Sequence, residues 1–472
     1  MKIIIAKFLV LLFATSMIAP RLSIVSGDNP RTIHVRGDFS TIQEAINNAN
    51  LGDTISVESG IYYEHVVVNK TLLLIGEDNA NTIIDGSNNG TVVEVTADNV
   101  TITGFKLQNS GYGWTRHGVY VYKANNCQIK RNWFFNTCHN IRINYSRNSE
   151  VMQNVINGTP YGVTMYGIRL ENSVNCVALD NTVSDCVGGV HLENATECLV
   201  KNNYLAHNDQ AFRLYSPCTY IVIAANTMYN NSYDGMIAVM PPNATFSDNL
   251  IVHNNFINNT NSFIIQSNGT VWDDGHEGNY WSRYVGFDSD LDGIGDIAHN
   301  ITGMYKDNHP LMGKFSSFNT TFGYKVDFIS SSQISNFSFS QLNASHASLT
   351  FNATGEPLTQ GFCRICIPKA LINGLYVVKL DGEIVTQPQT RELPCSNETY
   401  EYIYLNYTSN GHVMEISGTT PIPEFPSLPI LQLSLVAAIL ASLAFSAFIL
   451  RKKSLASRRH QEHPSTIVRF RL

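Results

Sequence analysis

Through the middle of the chain, short runs of alternating apolar and polar residues end on an asparagine and then resume with another apolar pair. They read Cys127-Gln-Ile-Lys-Arg-Asn132-Trp-Phe, Glu150-Val-Met-Gln-Asn154-Val-Ile, Cys176-Val-Ala-Leu-Asp-Asn181-Thr-Val, Cys198-Leu-Val-Lys-Asn-Asn203-Tyr-Leu, Ile223-Ala-Ala-Asn226-Thr-Met and Val252-His-Asn-Asn255-Phe-Ile. The asparagines recur at about 22, 27, 22, 23 and 29 residues, the range of stacked units that bury a face only against their neighbours. Period-two alternation, β-branched and aromatic residues, and interruption by Asn and Gly leave no room for a three-turn helix. Three short strands per coil joined by tight turns predict an all-β, right-handed parallel β-helix. Asparagine suits its corners because it tolerates left-handed backbone and bonds its own main chain, and stacked corner asparagines can form ladders.

Other segments depart from that pattern. Ser40-Thr-Ile-Gln-Glu-Ala-Ile-Asn-Asn-Ala-Asn50 spaces Ile42, Ala45, Ile46 and Ala49 on one helical face, with Ser40 and Gln43 as a capping box. This predicts a helix over the open first rung. Strands are expected at 53–57, 60–68 and 71–75, and rungs to about Ser267. Residues 314–418 alternate around turns at Asn373-Gly374, Asp381-Gly382 and Asn410-Gly411, the pattern of a β-sandwich. The domain reading is therefore a signal over 1–27, the β-helix over 28–313, the sandwich over 314–418 and a Pro-rich linker over 419–427.

The ends of the chain speak to location. Lys2 and Lys7 precede the apolar run Phe8–Ala19, which reads as a secretory signal. Leu428–Leu450 is apolar and long enough to span a bilayer, and Arg451-Lys452-Lys453 follows at once. The expectation is a single carboxy-terminal transmembrane helix, a basic cytoplasmic tail over 451–472, and everything before the span outside the cell. Seventeen Asn-x-Ser/Thr sequons lie between the two apolar segments, as in an external glycoprotein. Net charge is −7, and the positive signal and tail leave about −16 on the outer portion. Such a surface repels nucleic acid, and polyanionic glycans too unless metal ions intervene.

Nine cysteines divide between the repeats and the later unit. Cys127, Cys176 and Cys198 each precede the repeat asparagine by five residues, so stacked core thiols are expected. Cys363 and Cys366 face opposite ways on a strand, and only one of them can pair with Cys395.

Candidate chemistry is concentrated at one loop. Asp288, Asp290, Asp292 and Asp296, with Gly293 at the sixth position and the Ile294 carbonyl at the seventh, match the start of an EF-hand-like calcium loop. Position twelve is His299 rather than a bidentate Glu, so the expectation is a calcium-stapled loop with Asp307 as a late ligand. For catalysis the candidates are Asp185 and Asp209, about one coil apart, with Arg213 to hold an acidic sugar. A binding module would use Tyr112, Trp114, Tyr120, Tyr122, Tyr145, Tyr161 and Tyr166 as a sugar-stacking strip. His117, His139, His191 and His207 read as scattered through turns, solvated or satisfied in the core.

With these residues in view, Thr41–Leu311 resembles the NosD-like parallel β-helix proteins of the carbohydrate-binding and sugar-hydrolase type, frequent in archaeal surface proteins. The matching motifs are Thr41-Ile-Gln-Glu-Ala-Ile46, Gly52-Asp-Thr-Ile55, Gly60-Ile-Tyr-Tyr-Glu64, and Gly278-Asn-Tyr-Trp281 through Asp307-Asn-His-Pro-Leu311. Pro423-Glu424-Phe425 before the apolar run resembles an archaeal sorting signal. The resemblance implies a pectin-lyase-like fold, and it implies function less firmly because such folds host lyases, hydrolases, adhesins and maturation factors. The reading is an anchored surface protein, structural or carbohydrate-binding. A polysaccharide lyase or glycoside hydrolase is the alternative, and a metalloenzyme maturation factor the second. No Met-rich or His-rich run favours copper.

Overall fold

A computed structural model describes residues 29–158, 164–232, 234–239, 246–260, 263–265, 269–303, 305–343, 346–386 and 390–419.

 The later unit is thus described over 305–343, 346–386 and 390–419. The expected signal, linker, membrane span and tail, at 1–28 and 420–472, lie outside the described residues. Among the described residues no helix is long and apolar enough to cross a membrane.

Three parallel sheets run the length of the solenoid, of eleven, ten and ten strands, and successive coils supply successive strands of each. The first sheet carries strands such as Gln128–Lys130, Glu150–Met152 and Val177–Leu179. Trp133–Thr137, Val155–Asn157 and Thr182–Ser184 lie in the second, and His117–Tyr122, His139–Asn144 and Tyr166–Glu171 in the third. Inward residues of all three fill one continuous core, with Ile102, Phe105, Phe134, Ile168 and Phe212 fully buried.

The corner between the first and second sheets explains the repeat. Asn132, Asn154, Asn181, Asn203, Asn226, Asn254 and Asn279 are buried there, and each main-chain N–H donates to the Oδ1 of the next coil's asparagine at 2.9–3.0 Å as far as Asn279. Asn279 in turn donates to Asp307 Oδ2 at 2.8 Å, so a carboxylate ends the ladder. Two sequence expectations are corrected here. The asparagine of the sixth repeat is Asn254, not Asn255, and the left-handed backbone belongs to the residue before each ladder asparagine from Asn132 to Asn254: Arg131, Gln153, Asp180, Asn202, Ala225 and His253. The asparagine is needed for its amide, which supplies a donor and an acceptor to a buried corner. A second ladder, Asn208 to Asn231 to Asn259, stacks at another corner.

The helix spans Ile42–Asn48 and buries Ile42, Ala45 and Ile46 over the first rung. Its N-cap is Thr41, which accepts from Glu44 N at 3.1 Å, one residue later than the expected Ser40. Glu64 of the first coil accepts from Ile42 N and Gln43 N, so the cap is tied to the rung it covers. At the other end the rungs pass Ser267: Thr270–Val271 and Tyr280–Trp281 are the last strands of the first and second sheets.

Two five-stranded antiparallel sheets share the core of the later unit, including Phe328, Phe351, Ile365, Leu405 and Ile416. This unit docks on the solenoid's flank. Asn255 exchanges two 2.8 Å bonds with the Phe315 backbone, and His253 stacks on the Phe315 ring at 4.3 Å. Glu277 bridges Arg364 at 2.6 Å and His253 at 2.8 Å. All nine cysteines are free thiols, and Cys127, Cys176 and Cys198 are buried in the core as expected.

Candidate functional site: the outer face of the third sheet

Along the third sheet Val119, Ile141, Ile168, Val190 and Phe212 point into the core. The next residue of each strand therefore points out, and parallel register stacks Tyr120, Arg142, Arg169, His191 and Arg213 in a row, headed by Glu94. Two residues on, Tyr122, Asn144, Glu171, Glu193 and Tyr215 form a second row. A third row, His117, His139, Tyr166, Gly188 and Gln210, reaches the same face: Tyr166 lies 4.6 Å from the His191 ring and His117 stacks on Tyr120 at 4.6 Å.

The charges interlock. Glu171 takes Arg142 at 2.7 Å and Arg169 at 3.2 Å, while Glu193 takes Arg169 at 2.6 Å and His191 at 3.3 Å. The face thus carries three guanidinium groups and three carboxylates, Glu94 included, and the ion pairs among them join Arg142 and Arg169 to Glu171 and Glu193. Tyr166 leans across Gly188, where a Cβ would meet its ring at 2.6 Å, and its hydroxyl accepts from Arg213 at 3.2 Å. Burial, with the neighbouring His139 and arginines, pushes His117 down to about 3, and burial with Arg169 and Arg142 takes His139 down to about 4. Both are neutral imidazoles at physiological pH. The bond from His191, against the desolvation and with Arg169 beside it, takes Glu193 down to about 2.

Sequence reasoning missed most of this face. His117, His139 and His191 sit on strands, not in turns, and are nearly inaccessible at 1–3% exposure. Only His207 occupies a left-handed corner as expected. Of the aromatic strip, Tyr120 stacks on Tyr122, Tyr145 meets Tyr122 edge-on, and Trp114 packs on His139 at 5.8 Å; Tyr161 lies outside the described residues. Arg213 belongs to the face. Asp185 and Asp209 do not meet: register pairs Gly188 with Gln210, which places Asp209 level with Val187 and Asp185 level with His207. Asp209 instead accepts from Ser232 Oγ.

In the acidic loop, carboxylate oxygens of Asp288, Asp290 and Asp292 gather within 4.8 Å of one another. Burial, with Asp292 and Asp290 nearby, pushes Asp288 up to about 6 against backbone bonds from Gly293 and Asp292. Asp296 turns away to accept from Ser289 N, and Ile294 forms a backbone bridge with Leu311. Asp307 is committed to Asn279 and to Trp281 Nε1, which donates at 2.8 Å.

A family model described as periplasmic copper-binding protein (NosD) matches residues 46–166 and 162–286, just over half of the chain. The chain belongs to the NosD family. Probable ABC transporter binding proteins NosD from Stutzerimonas stutzeri and Pseudomonas aeruginosa are each 36% identical over 75 residues, 16% of this chain and 17% and 18% of theirs. The chain therefore spans about a sixth of the length of these bacterial relatives. Among solved structures, an alginate lyase from Paenibacillus sp. covers 51% of this chain and 99% of its own at 15% identity and TM-score 0.36. DFA-IIIase from Arthrobacter chlorophenolicus covers 54% and 76% at 15% identity and TM-score 0.43. The surface adhesin PfbA of Streptococcus pneumoniae covers 46% and 75% at 16% identity and TM-score 0.35.

Copper in the family description prompts a test of the donors. His139 and His191 are two coils apart, about 9.6 Å by strand spacing, whereas two nitrogens on one ion, each bonded at about 2 Å, lie within about 4 Å. His117 already meets Thr91 Oγ1 at 3.2 Å and faces Arg142 at 3.4 Å. Among the described residues the one convergent trio of metal-binding side chains is Asp288, Asp290 and Asp292, and carboxylate oxygens suit calcium, magnesium or manganese better than copper. The residues of the third-sheet face do not fit a copper centre.

Proposed function

We propose that this NosD-family protein is an exported, membrane-anchored surface β-helix that binds a glycan along the outer face of its third sheet. The observation that carries this reading is the in-register face itself, in which aromatic rings stand beside paired arginines, glutamates and histidines over five successive coils. Rings offer flat apolar surface to sugar faces, and the fixed polar groups orient hydroxyls. Export and anchoring are supported by the signal-like amino terminus and by the apolar 428–450 run with its basic flank.

Binding is favoured over cleavage by one point of chemistry. Glycoside hydrolysis needs a carboxylic acid that still holds its proton, whereas Glu193 is held at about 2. The test is a glycan array probed with the full chain in detergent, followed by product analysis of every hit. Retention of intact glycan is the expected result; shortened products would establish an enzyme, and an empty array would defeat the glycan reading.

Calcium is the cation we propose for Asp288, Asp290 and Asp292. An ion that binds only the native state stabilises it, so chelation lowers the melting temperature and added calcium restores it. A melt that ignores both would remove calcium from the loop.

A further inference from the structure

We infer that the third-sheet face is built for an uncharged sugar chain and discriminates against uronate, sulfated and phosphorylated ones; this rests on the glycan-binding reading above. The argument begins with groups that lack partners. Both ring nitrogens of His139, Nδ1 of His191, Oε1 of Gln210 and Nε of Arg213 are buried without a hydrogen bond. All four residues lie on one face of four adjacent coils, around Gly188 and the Tyr166 ring that lies over it. A buried polar atom left unpaired forfeits its hydration with nothing in return, so a group of five on one face calls for a ligand that completes them.

The polarity of these atoms can be assigned. Glu193 is ionised and can only accept, so the His191 Nε2 facing it at 3.3 Å carries the hydrogen. The neutral ring therefore leaves Nδ1 as an acceptor. Neutral His139 offers one donor and one acceptor, Gln210 Oε1 accepts, and Arg213 Nε donates. The unfilled set is three acceptors and two donors. A carboxylate, sulfate or phosphate only accepts, and would leave the three acceptors empty while facing their lone pairs. A sugar hydroxyl both donates and accepts, and satisfies either kind.

Charge gives the same answer independently. The face carries three arginines and three glutamates, Glu171 and Glu193 already hold Arg142 and Arg169, and Arg213 donates to the Tyr166 hydroxyl, so the face as a whole has no net positive charge to offer an anion. The strongly negative outer portion of the chain further disfavours a polyanion.

The experiment is calorimetric titration of the full chain in detergent with neutral glucan and mannan hexasaccharides and, in parallel, with hexagalacturonate and hexamannuronate. A neutral chain is expected to bind at least tenfold tighter than a uronate. Gln210→Leu and His191→Phe are each expected to weaken it about 5- to 10-fold; the melting temperature of Gln210→Leu stays at or above that of the parent because its buried Oε1 has no native bond to lose, whereas His191→Phe melts lower because it gives up the bond to Glu193. Equal or tighter uronate binding would overturn the inference and leave the glycan reading intact. Unchanged affinity in both variants would also overturn it, whereas failure of every oligosaccharide to bind would overturn the glycan reading itself.

Discussion

Replacing Asn203 with alanine destabilises the solenoid by about 4 kcal/mol, the cost of leaving several buried groups unpaired at roughly 1–3 kcal/mol each. Asn203 makes five side-chain bonds: Nδ2 donates to the carbonyls of Ala178 and Lys201 and to Asn226 Oδ1, and Oδ1 accepts from the N–H and the Nδ2 of Asn181. The variant strands two donors on Asn181 and the Ala178 carbonyl in a corner without water. Asn81, whose exposed amide donates to Asp78 at the surface, is the control, and its alanine variant loses under about 1 kcal/mol. Urea unfolding of the two variants checks the contrast. Equal, small losses would show that the ladder is a geometric regularity with little energetic weight.

Glu277→Ala has a comparable effect at the junction of the two units. Arg364 is only 7% exposed at its side chain, and a buried charge that loses its partner costs about 3–5 kcal/mol. Replacing Arg364 with Met in the same chain should recover most of that loss, and scanning calorimetry should show the later unit unfolding separately in the single variant alone. The junction is also sensitive to acid. Burial would raise the Glu277 carboxyl, but Arg364 and His253 overcome it and hold it below the ordinary carboxylate range. A depressed native value stabilises above the unfolded value of about 4.3 and is lost as pH falls through the native one. The two units therefore melt together at pH 5 and begin to part below about pH 4; a junction unchanged down to pH 2 would contradict this assignment.

The solenoid was legible because one corner repeats the same residue at nearly the same interval, and a buried amide tolerates few substitutes. The later unit was legible from its turns. The third-sheet face was not, because its members differ in type from coil to coil and are separated by 22 or 27 residues in turn. A signal did exist: Val-Tyr-Val-Tyr122, Ile-Arg-Ile-Asn144, Ile-Arg-Leu-Glu171, Val-His-Leu-Glu193 and Phe-Arg-Leu-Tyr215 align once core residues are used as the ruler. Asp185 and Asp209 were paired by counting 24 residues, whereas the strands there repeat at 22. In the acidic loop Asp288, Asp290 and Asp292 do come together, which alternating carboxylates around a tight glycine turn made legible. Asp296 and Asp307 went elsewhere because nearby backbone N–H groups needed acceptors.

Two kinds of corner coexist in this solenoid. Where the ladder runs from Asn132 to Asn254, two residues separate the strands, as between Lys130 and Trp133, Met152 and Val155, and Lys201 and Tyr204. Beside the third sheet the interval changes freely, from one residue between Thr137 and His139 to eight between Asn157 and Tyr166. The fold thus keeps its spine fixed while leaving the margins of its outer face open to insertion. New segments can be acquired there, one coil at a time, without disturbing the asparagines that hold the stack, which makes this architecture a ready substrate for evolving or engineering new specificities.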